Sequence, residues 1–309
     1  MNKPLPLPLT GIVPPLVTPL LNNDTLDIEG LERLIEHVVA GGVSGVFILG
    51  TTGEFAGLGY KTRNELIERT CRLVKGRVPV LVGITDSAFT ESLNMAKTAA
   101  VNGADAVVLA PPYYYASGQP ELLEYLNRIM IQMPLPLFIY NMPVYTKVIF
   151  SPETVKAAAE IPGIIGLKDS SENLAYLNQV RYLLRERTDF TFMVGPEEIL
   201  AEFVLMGGHG GVNGGANMFP KLYVSLYQAA LNRDFEKIML LQKKVMQIST
   251  TIYRVGHYGS SYLKGLKCGL SVMGICNDFM TEPFRKFKEP ERMKIKQLLE
   301  EEINYREWL

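Results

Sequence analysis

Residues 163–171 decide the fold, and they read Gly163-Ile164-Ile165-Gly166-Leu167-Lys168-Asp169-Ser170-Ser171. The run is a short apolar segment that ends on lysine, a residue type that is seldom fully buried. Because side chains alternate along a strand, we expect Ile165 and Leu167 on one face and Ile164, Gly166 and Lys168 on the other. In a closed barrel with helices outside, Lys168 then points inward and Gly166 leaves room beneath it.

The position of Lys168 at the end of this run indicates chemistry. A low-dielectric pocket disfavours the ammonium form and so yields the neutral amine, which attacks carbonyl carbons. The alternative is a structural lysine whose stem packs on the sheet while its charged end reaches solvent. The residues at the ends of the other strands are needed to decide between a catalytic and a structural lysine.

Apolar, β-branched runs recur along the chain with helical segments between them. Eight runs read as strands: Gly11–Val17, Ser44–Leu49, Val78–Gly83, Ala104–Leu109, Leu135–Tyr140, Ile164–Lys168, Phe190–Val194 and Gly210–Val212. The segments between them have the three-and-four apolar spacing of amphipathic helices. Asp27 and Ser151 precede two of these helices as N-caps, and Asp169 with Glu172 resembles a capping box for the helix after Lys168.

The alternation of strands and helices indicates a barrel. Eight units in about the 200–250 residues typical of the fold predict a (β/α)8 TIM barrel. A doubly wound open sheet is the alternative, but no GxGxxG motif follows the first strand. From Asp234 onward the pattern is wholly helical. We therefore predict a catalytic barrel at residues 1–232 and a C-terminal helical region at residues 233–309 that packs on it, since no polar linker separates them.

The composition excludes several classes of partner. The chain has 309 residues, is 47% hydrophobic and has a formal net charge of -1, with 31 Lys and Arg against 32 Asp and Glu. This balance provides no field that would hold nucleic acid or an anionic membrane surface. No apolar run reaches the length of a membrane span. We expect neither a nucleic-acid partner nor a membrane partner.

The cysteines and the N-terminus bear on the compartment. Cys71, Cys268 and Cys276 form no CxxC pair and show no metal-ligand spacing, which argues against disulfides and structural zinc. Residues 1–9 alternate proline and leucine without the apolar core of a signal peptide. We expect a cytoplasmic protein that binds no metal.

Two strand ends besides that of Lys168 could carry chemistry, since the active site of a TIM barrel lies at the carboxyl ends of its strands. The second strand ends in Gly50-Thr51-Thr52-Gly53-Glu54, where hydroxyl and backbone N–H groups suit a carboxylate; an ordinary turn is the alternative. The fifth strand ends in Tyr140, which shares the inward face with Phe138 and should lie beside Lys168. A phenol near an imine-forming lysine transfers protons, and a core tyrosine with a satisfied hydroxyl is the alternative.

Taken together, the strand ends resemble those of the dihydrodipicolinate synthase/N-acetylneuraminate lyase family of class I aldolases. The resemblance runs from about Gly11 into the helical tail. The motifs that carry it are Gly50-Thr51-Thr52-Gly53-Glu54, Pro112-Tyr113-Tyr114, Tyr140-Asn141-Met142-Pro143, Gly166-Leu167-Lys168-Asp169 and Gly207-Gly208-His209-Gly210.

The resemblance implies a mechanism that needs no cofactor. Lys168 would form a Schiff base with the keto carbon of pyruvate or another 2-oxo acid, and Thr51 and Thr52 would hold the carboxylate. Tyr140 would carry protons, and Thr52 would link it to Tyr114 of a neighbouring subunit. The resemblance thus implies a homo-oligomer as well, usually a dimer of dimers. The protonated imine is itself the electron sink, so the chemistry requires no metal.

The sequence departs from this family where the second substrate would bind. Dihydrodipicolinate synthases have an arginine two residues after the proline of the Tyr-Asn-x-Pro motif, and it grips the carboxylate of aspartate semialdehyde. This chain has Tyr145 at that position and no arginine from there through Phe150. Loss of a bidentate carboxylate partner should greatly weaken binding of that substrate.

Polar residues follow the seventh and eighth strands. Glu197, Glu198 and Asn213 suit contacts to a polyol, and in sialic acid lyases the matching acidic pair contacts hydroxyls of the sugar tail. Glutamates after Pro196 are equally typical of a helix N-terminus. The residues that we expect to contact substrate beside the two threonines are Gly50, Tyr145, Glu198, Val212 and Asn213.

We therefore predict a Schiff-base-forming lyase that joins or cleaves pyruvate and an aldehyde. The stretch Lys168-Asp169-Ser170 resembles that of 2-keto-3-deoxy sugar acid aldolases, so a substrate of that kind or a sialic-acid-like sugar is expected. Two alternatives stay open: a 4-hydroxy-tetrahydrodipicolinate (dihydrodipicolinate) synthase, and a non-catalytic barrel that binds a 2-oxo acid. A binding protein has no need of the Lys168 amine, which favours the enzyme.

Overall fold

The computed structural model describes residues 5–304. The outer ends of both predicted domains, and the first part of the N-terminal stretch, lie outside the described residues. Eight strands lie at the centre of the molecule: Gly11–Ile12 (β1), Val46–Ile48 (β2), Val80–Gly83 (β3), Ala106–Leu109 (β4), Leu137–Asn141 (β5), Ile164–Asp169 (β6), Thr191–Val194 (β7) and Gly210–Gly211 (β8). Between residues 5 and 304, no helix is both long enough and apolar enough to cross a bilayer.

The strands form one parallel sheet that closes on itself. Neighbours pair in the order β1-β8-β7-β6-β5-β4-β3-β2. The segment that follows β1 closes the ring, because an isolated parallel bridge joins Pro15 to Phe47 of β2. The N–H of Phe47 donates to the carbonyl of Pro14 at 3.0 Å, and its own carbonyl accepts from Leu16 at 2.7 Å. The predicted (β/α)8 TIM barrel is confirmed.

Helices surround the barrel and follow the predicted segments closely. They are Ile28–Ala40 (α1), Tyr60–Val74 (α2), Phe89–Val101 (α3), Gln119–Met130 (α4), the short Pro143–Thr146 (α5), Pro152–Ala159 (α6), Leu174–Leu183 (α7), Leu200–Leu205 (α8) and Pro220–Leu231 (α9). Two predicted N-caps are confirmed: the Asp27 side chain accepts from the N–H of Gly30, and the Ser151 side chain accepts from that of Thr154.

The predicted capping box of Asp169 and Glu172 is wrong. The cap of α7 is Asn173, whose side chain accepts from the N–H of Tyr176 at 3.0 Å. Asp169 is instead the last residue of β6. The strand continues one residue beyond Lys168, so the carboxylate of Asp169 lies too early in the chain to reach the first turn of the helix.

A bulge in β6 changes the predicted alternation of side chains. Two consecutive residues of β5 pair with Ile164 and Gly166, so the register skips Ile165. The predicted faces of the two isoleucines are therefore wrong. Ile164 packs with Leu167 in the core between strands and helices, whereas Ile165 contacts the cluster inside the barrel. Lys168 keeps its inward direction because the extra residue precedes it.

Gly166 faces inward as predicted, but the space beside it is filled. A Cβ atom at this position would lie 2.6 Å from Cε1 of Phe138 and 2.7 Å from the carbonyl oxygen of Thr191. Both distances are shorter than real carbon contacts, so only glycine fits here. The glycine makes room for the Phe138 ring in the barrel interior, not for a ligand.

The C-terminal helical region packs on the barrel. Its helices are Phe235–Thr251 (α10), Ser261–Val272 (α11) and Glu289–Gln297 (α12), and a π-helical turn at Leu298–Ile303 follows them. α10 contacts α9, and α11 contacts the 3-10 turn Gly214–Asn217 that follows β8. Lys267 of α11 forms a buried ion pair with Glu54, with Nζ and Oε1 2.7 Å apart and side chains 0% and 2% exposed. The division of the chain at residue 232 stays a prediction.

Candidate active site

Lys168 is buried at the inner face of the barrel, with 5% of its surface exposed. In the sheet it pairs with Tyr140 of β5 and Met193 of β7. Its Nζ atom lies 3.9 Å from the centroid of the Tyr140 ring and 5.2 Å from that of Phe47. The amine thus lies close to two aromatic rings inside the barrel, and the alternative of a lysine that reaches solvent is wrong.

The hydroxyl of Tyr140 lies among polar side chains. The hydroxyl oxygens of Thr51 and Ser170 are each 3.5 Å from it, at the outer limit of hydrogen bonding. Burial raises the pKa of this phenol, but the positive charge of Lys168, together with the hydrogen bonds, outweighs burial and brings the pKa below its usual value. A phenol that releases its proton more readily beside an amine is suited to proton transfer.

The turn at residues 50–54 is held in an unusual backbone conformation. Leu49 and Glu54, which bracket it, have φ angles of 57° and 56°. Such left-handed conformations are costly for residues other than glycine and tend to occur at functional sites. Gly83 allows the turn to pack on β3, because a Cβ there would lie 2.1 Å from the carbonyl oxygen of Leu49. The Glu54 carboxylate accepts from the N–H of Thr281 at 2.9 Å, which joins the turn to the C-terminal region.

The two threonines of this turn have different partners. Thr51 approaches Tyr140, whereas Oγ1 of Thr52 lies 3.1 Å from the hydroxyl of Tyr262 on α11. The predicted link from Tyr140 through Thr52 is therefore wrong at its first step, because Thr51 supplies that contact. The side chain of Thr51 thus points toward β5, and that of Thr52 points toward α11.

Tyr114 lies in an exposed loop, with 77% of its surface accessible. Its ring packs edge-to-face on Tyr115, with centroids 5.0 Å apart. Within one chain it does not reach the hydroxyl of Tyr140. Its contribution to the site of a neighbouring subunit stays a prediction.

A cleft of about 600 Å³ opens at the carboxyl ends of the strands. Thr51 and Tyr140 line it, and Lys168 borders a small interior void next to it, with Phe47 shared between the two. Its remaining lining is mostly apolar and aromatic, and includes Phe55, Tyr113, Met142, Tyr145, Leu263 and Phe284. The described residues of the cleft wall include no lysine or arginine. A second anionic group on a ligand would therefore find no cationic partner there.

The predicted substrate contacts do not all lie at this cleft. Gly50 and Tyr145 line it, and Tyr145 is 53% exposed. Val212 lies in the wall of the interior void together with Lys168.

Asn213 and Glu198 do not line this cleft, and their contact with substrate stays a prediction. The amide nitrogen of Asn213 donates to the carbonyl of Gly195 at 2.9 Å, and the side chain is fully buried. Glu198 borders an adjoining cavity of about 480 Å³ formed largely by the C-terminal region, which shares Tyr258 and Gly259 with the cleft.

Glu197 contacts the protein itself. Its Oε1 accepts from the hydroxyls of Tyr223 at 2.6 Å and Tyr253 at 3.0 Å, and its Oε2 accepts from the N–H of Gly215 at 2.8 Å. Burial, reinforced by the charge of Glu198, raises the pKa of Glu197 to about 7. The sequence left two interpretations of Glu197 open, and the contacts in the structure are with donors of the protein itself, which favours a structural role.

Asn141 and Asp169 shape the loops around the site. The amide of Asn141 donates to Oδ1 of Asp169 at 2.6 Å, and its carbonyl oxygen accepts from the N–H of Phe150 at 3.1 Å. Asp169 also accepts from the backbone and hydroxyl of Ser171. Burial raises the pKa of Asp169. These bonds give both motif residues a structural role next to Tyr140 and Lys168.

The C-terminal residues at the site were not predicted. Tyr258, Leu263 and Phe284 line the cleft, and Tyr262 contacts Thr52. The signal that could have found them is Lys267, a charged residue on the apolar face of α11, which requires a buried partner. Within residues 5–304, no group of three or more His, Cys, Asp or Glu side chains is arranged to hold a metal ion.

Comparison with known proteins gives consistent matches. The family model described as the dihydrodipicolinate synthetase family matches residues 8–302. The solved structure of a dihydrodipicolinate synthase from the commensal bacterium Bacteroides thetaiotaomicron is 61% identical, with a TM-score of 0.94 over 96% of this chain and 99% of that one. A probable 2-dehydro-3-deoxy-D-pentonate aldolase of Escherichia coli is 32% identical over 271 residues, which are 86% of this chain and 90% of the relative. A prophage protein of the dihydrodipicolinic acid synthase family from E. coli, solved in complex with pyruvate, is 28% identical, with a TM-score of 0.89 over 95% of this chain and 98% of that one.

Proposed function

The chain belongs to the dihydrodipicolinate synthetase family and is a lyase of the pyruvate-dependent class I type, and from this premise we propose that it joins or cleaves pyruvate and an uncharged aldehyde through a Schiff base on Lys168. The observation that carries the proposal is the buried Nζ of Lys168, 3.9 Å from the ring of Tyr140. The structure of the prophage relative with pyruvate supports pyruvate as the first substrate.

The arrangement suggests a role for each residue in forming the imine. The amine of Lys168 attacks the keto carbon of pyruvate, and water leaves after the oxygen has received protons. Tyr140 moves these protons, because its phenol lies beside the amine and its lowered pKa favours exchange. Thr51 orients the phenol from the turn at residues 50–54, whose N–H groups receive the carboxylate of pyruvate.

The protonated imine then serves as the electron sink for carbon–carbon bond chemistry. Loss of a proton from the methyl carbon gives an enamine, and this carbon attacks the aldehyde carbon. The resulting alkoxide takes a proton, and hydrolysis of the imine releases the 2-oxo acid and restores the amine. Cleavage follows the same steps in reverse. All electrons come from substrate bonds, so the proposal includes no external cofactor.

The wall of the cleft supports an uncharged aldehyde. Tyr145 lies where dihydrodipicolinate synthases have their arginine, and the described lining has no cationic side chain. A 2-keto-3-deoxy sugar acid fits this arrangement, because cleavage places its only carboxylate on the pyruvate half and leaves a neutral hydroxyaldehyde. The similarity to a probable 2-dehydro-3-deoxy-D-pentonate aldolase supports the same substrate class.

Dihydrodipicolinate synthesis is the second candidate. One observation favours it: a structure of that name is 61% identical to this chain. Initial rates with pyruvate and glyceraldehyde or glycolaldehyde, against pyruvate and aspartate semialdehyde, separate the two. We expect turnover with the hydroxyaldehydes and little with the semialdehyde, and the reverse preference would overturn our assignment of the substrate class.

The imine is tested by reduction with borohydride in the presence of pyruvate, followed by mapping of the modified peptide. We expect a single adduct, on Lys168, that requires pyruvate. Lys168→Ala should give no adduct and no turnover while keeping the thermal unfolding temperature close to that of the wild type. Labelling at another lysine, or turnover by the alanine variant, would contradict the proposal.

We propose that the enzyme is at least a homodimer. The exposed Tyr114 and Tyr115, 77% and 79% accessible in one chain, would be covered by a second copy, and Tyr114 would enter the partner's site. A monomer in analytical ultracentrifugation that retains full activity would exclude this role.

A further inference from the structure

A cluster of one buried carboxylate and three tyrosines, two of them buried and one half-buried, lies next to the turn that contains Thr52. We call Glu197, Tyr223, Tyr253 and Tyr262 the tyrosine cluster. Glu197 accepts hydrogen bonds from the hydroxyls of Tyr223 and Tyr253. The ring of Tyr262 packs edge-to-face on that of Tyr253, with centroids 4.8 Å apart and an interplanar angle of 82°. The cluster thus joins the loop after β7, α9 and the C-terminal region.

Tyr262 is the member that contacts the turn at residues 50–54. Its hydroxyl lies 3.1 Å from Oγ1 of Thr52, and Thr52 is 5% exposed. Gly214 is required for this approach, because a Cβ there would lie 1.7 Å from the phenolic oxygen. The ring of Tyr253 therefore supports the Tyr262 side chain, and the absence of a Cβ at Gly214 leaves room for its hydroxyl.

The direction of the hydrogen bond follows from the partners available. Among the described residues, Thr52 Oγ1 is the one hydrogen-bond partner found for the Tyr262 phenol. Burial and the nearby negative charge of Glu197 raise the pKa of Tyr262, so the phenol keeps its proton. A phenolic O–H is a stronger hydrogen-bond donor than an aliphatic hydroxyl, so we assign Tyr262 as the donor and Thr52 as the acceptor. The single proton of the Thr52 hydroxyl is then free to point elsewhere.

We propose that Tyr262 is a positioning residue that aims the hydroxyl proton of Thr52 at the carboxylate of the 2-oxo acid. The inference rests on the proposed function, since it requires that the turn at residues 50–54 receives a carboxylate. It assigns the C-terminal helix α11 a part in substrate binding that the barrel alone does not supply. Tyr262 touches Thr52 and acts through it.

Tyr262→Phe tests the inference, because it removes one oxygen and keeps the ring packed on Tyr253. We expect the KM for pyruvate to rise about tenfold while kcat and the KM for the aldehyde change little, since the hydrogen bond to the carboxylate weakens. Tyr223→Phe is the matched control: it also removes a hydroxyl from the tyrosine cluster, but one that bonds Glu197 and not Thr52. This control should leave the KM for pyruvate unchanged.

A double-mutant cycle separates positioning from a general loss of packing. Thr52→Val removes the acceptor, and adding Tyr262→Phe to it should raise the KM for pyruvate no further. Equal effects of Tyr262→Phe in both backgrounds, or equal effects of Tyr262→Phe and Tyr223→Phe on that KM, would overturn the inference.

Borohydride trapping distinguishes this inference from the proposed function. The wild type and Tyr262→Phe should both be labelled on Lys168 at saturating pyruvate, with the half-saturating concentration about tenfold higher in the variant. If the wild type is labelled and the half-saturating concentrations are equal, only the positioning role fails. If the wild type is not labelled, the proposed function fails and the inference fails with it.

Discussion

Lys168 and Tyr140 are directly opposite each other in the ladder between β5 and β6, so the register of the sheet places the amine beside the phenol. The two-residue period of a strand is enough to predict this pair from the sequence. The same reasoning could not tell which threonine approaches Tyr140. The turn at residues 50–54 is bracketed by left-handed residues, and no strand or helix period describes the directions of its side chains.

Substitution of Tyr145 tests whether this position determines which aldehyde the enzyme accepts. Tyr145→Arg places a guanidinium at a position that lines the cleft, where it could bind a carboxylate through two hydrogen bonds. We expect kcat/KM for aspartate semialdehyde with pyruvate to rise at least about tenfold, which corresponds to about 1.4 kcal/mol. Rates with a neutral hydroxyaldehyde should stay equal or fall, as measured in the same coupled assay.

Val144→Arg is the matched control for this substitution. Val144 is 61% exposed and adjacent in sequence, but it does not line the cleft. The control adds the same charge to the same short helix, so it reports any unspecific attraction of the anionic substrate. Equal gains from both variants would show that position 145 does not face the aldehyde.

Glu197 acts at the scale of elements, because it holds the loop after β7 to α9 and to the turn that follows β8. In the sequence, two glutamates after a proline indicate either a helix start or a polyol site, and both readings fit the local pattern. The hydroxyls of Tyr223 and Tyr253, which donate to Glu197, favour a structural role over a polyol site. These two tyrosines lie 26 and 56 positions further along the chain, beyond the reach of any local pattern.

The raised pKa of Glu197 predicts a pH dependence of stability. The pKa is about 7 in the folded protein, against 4.5 for a free carboxyl group. The folded state therefore holds a proton that the unfolded state has lost between these values. This contribution to the free energy of unfolding is complete below pH 4.5 and is lost as pH rises through 7, a decrease of up to about 3 kcal/mol.

Glu197→Gln should remove this decrease, because the amide does not titrate. Urea denaturation of the wild type and the variant at several pH values between 4 and 8 measures the difference. Glu153→Gln, at an exposed position of α6, should leave the wild-type dependence intact. A parallel shift of the whole curve in Glu197→Gln, without a change in its slope, would contradict the assignment.

The bulge in β6 shows a further limit of local patterns. Strict alternation predicts Ile164 beside Lys168, whereas the structure places Ile165 on the inner side. The extra residue is accommodated because Ile164 and Ile165 are both apolar, so either side chain satisfies either core. Two identical residues carry no pattern from which the bulge could be predicted.

At the scale of the whole molecule, the buried ion pair of Glu54 and Lys267 joins the turn at residues 50–54 to the C-terminal region. The ammonium also donates to the carbonyl of Thr18 at 2.9 Å and to that of Phe279, so every charge has partners. Lys267→Met leaves the Glu54 carboxylate buried without its cation. We expect a loss of about 3–5 kcal/mol in the free energy of unfolding, measured with urea.

Lys286→Met is the control for that loss, since Lys286 is 54% exposed and pairs with Asp278 at 3.5 Å. It should cost less than about 1 kcal/mol. If Lys267→Met fails to fold, the double variant with Glu54→Gln provides the test, because neutralising the orphaned carboxylate should recover part of the stability. Similar losses for the two single lysine variants would show that the buried pair is not essential.

At this scale the alternation of apolar runs and amphipathic helices was sufficient to predict the barrel and its helical appendage. It was insufficient to predict that the appendage lines the cleft and contacts the turn at residues 50–54. The contact of Thr52 with Tyr262 spans 210 positions and that of Glu54 with Lys267 spans 213. Periodicity describes which face of an element is apolar, but not which distant element covers it.

Because the C-terminal region supplies part of the cleft wall, the residues proposed to bind the aldehyde lie on different elements from the lysine proposed to bind the ketone. The amine that we propose captures the ketone lies on β6, while Tyr258, Leu263 and Phe284 of the C-terminal region line the cleft. Random substitution of residues 258–259, 263 and 282–284 would therefore vary the aldehydes that are accepted without altering covalent capture. New catalysts for carbon-chain extension could be selected from such a library with the barrel left untouched.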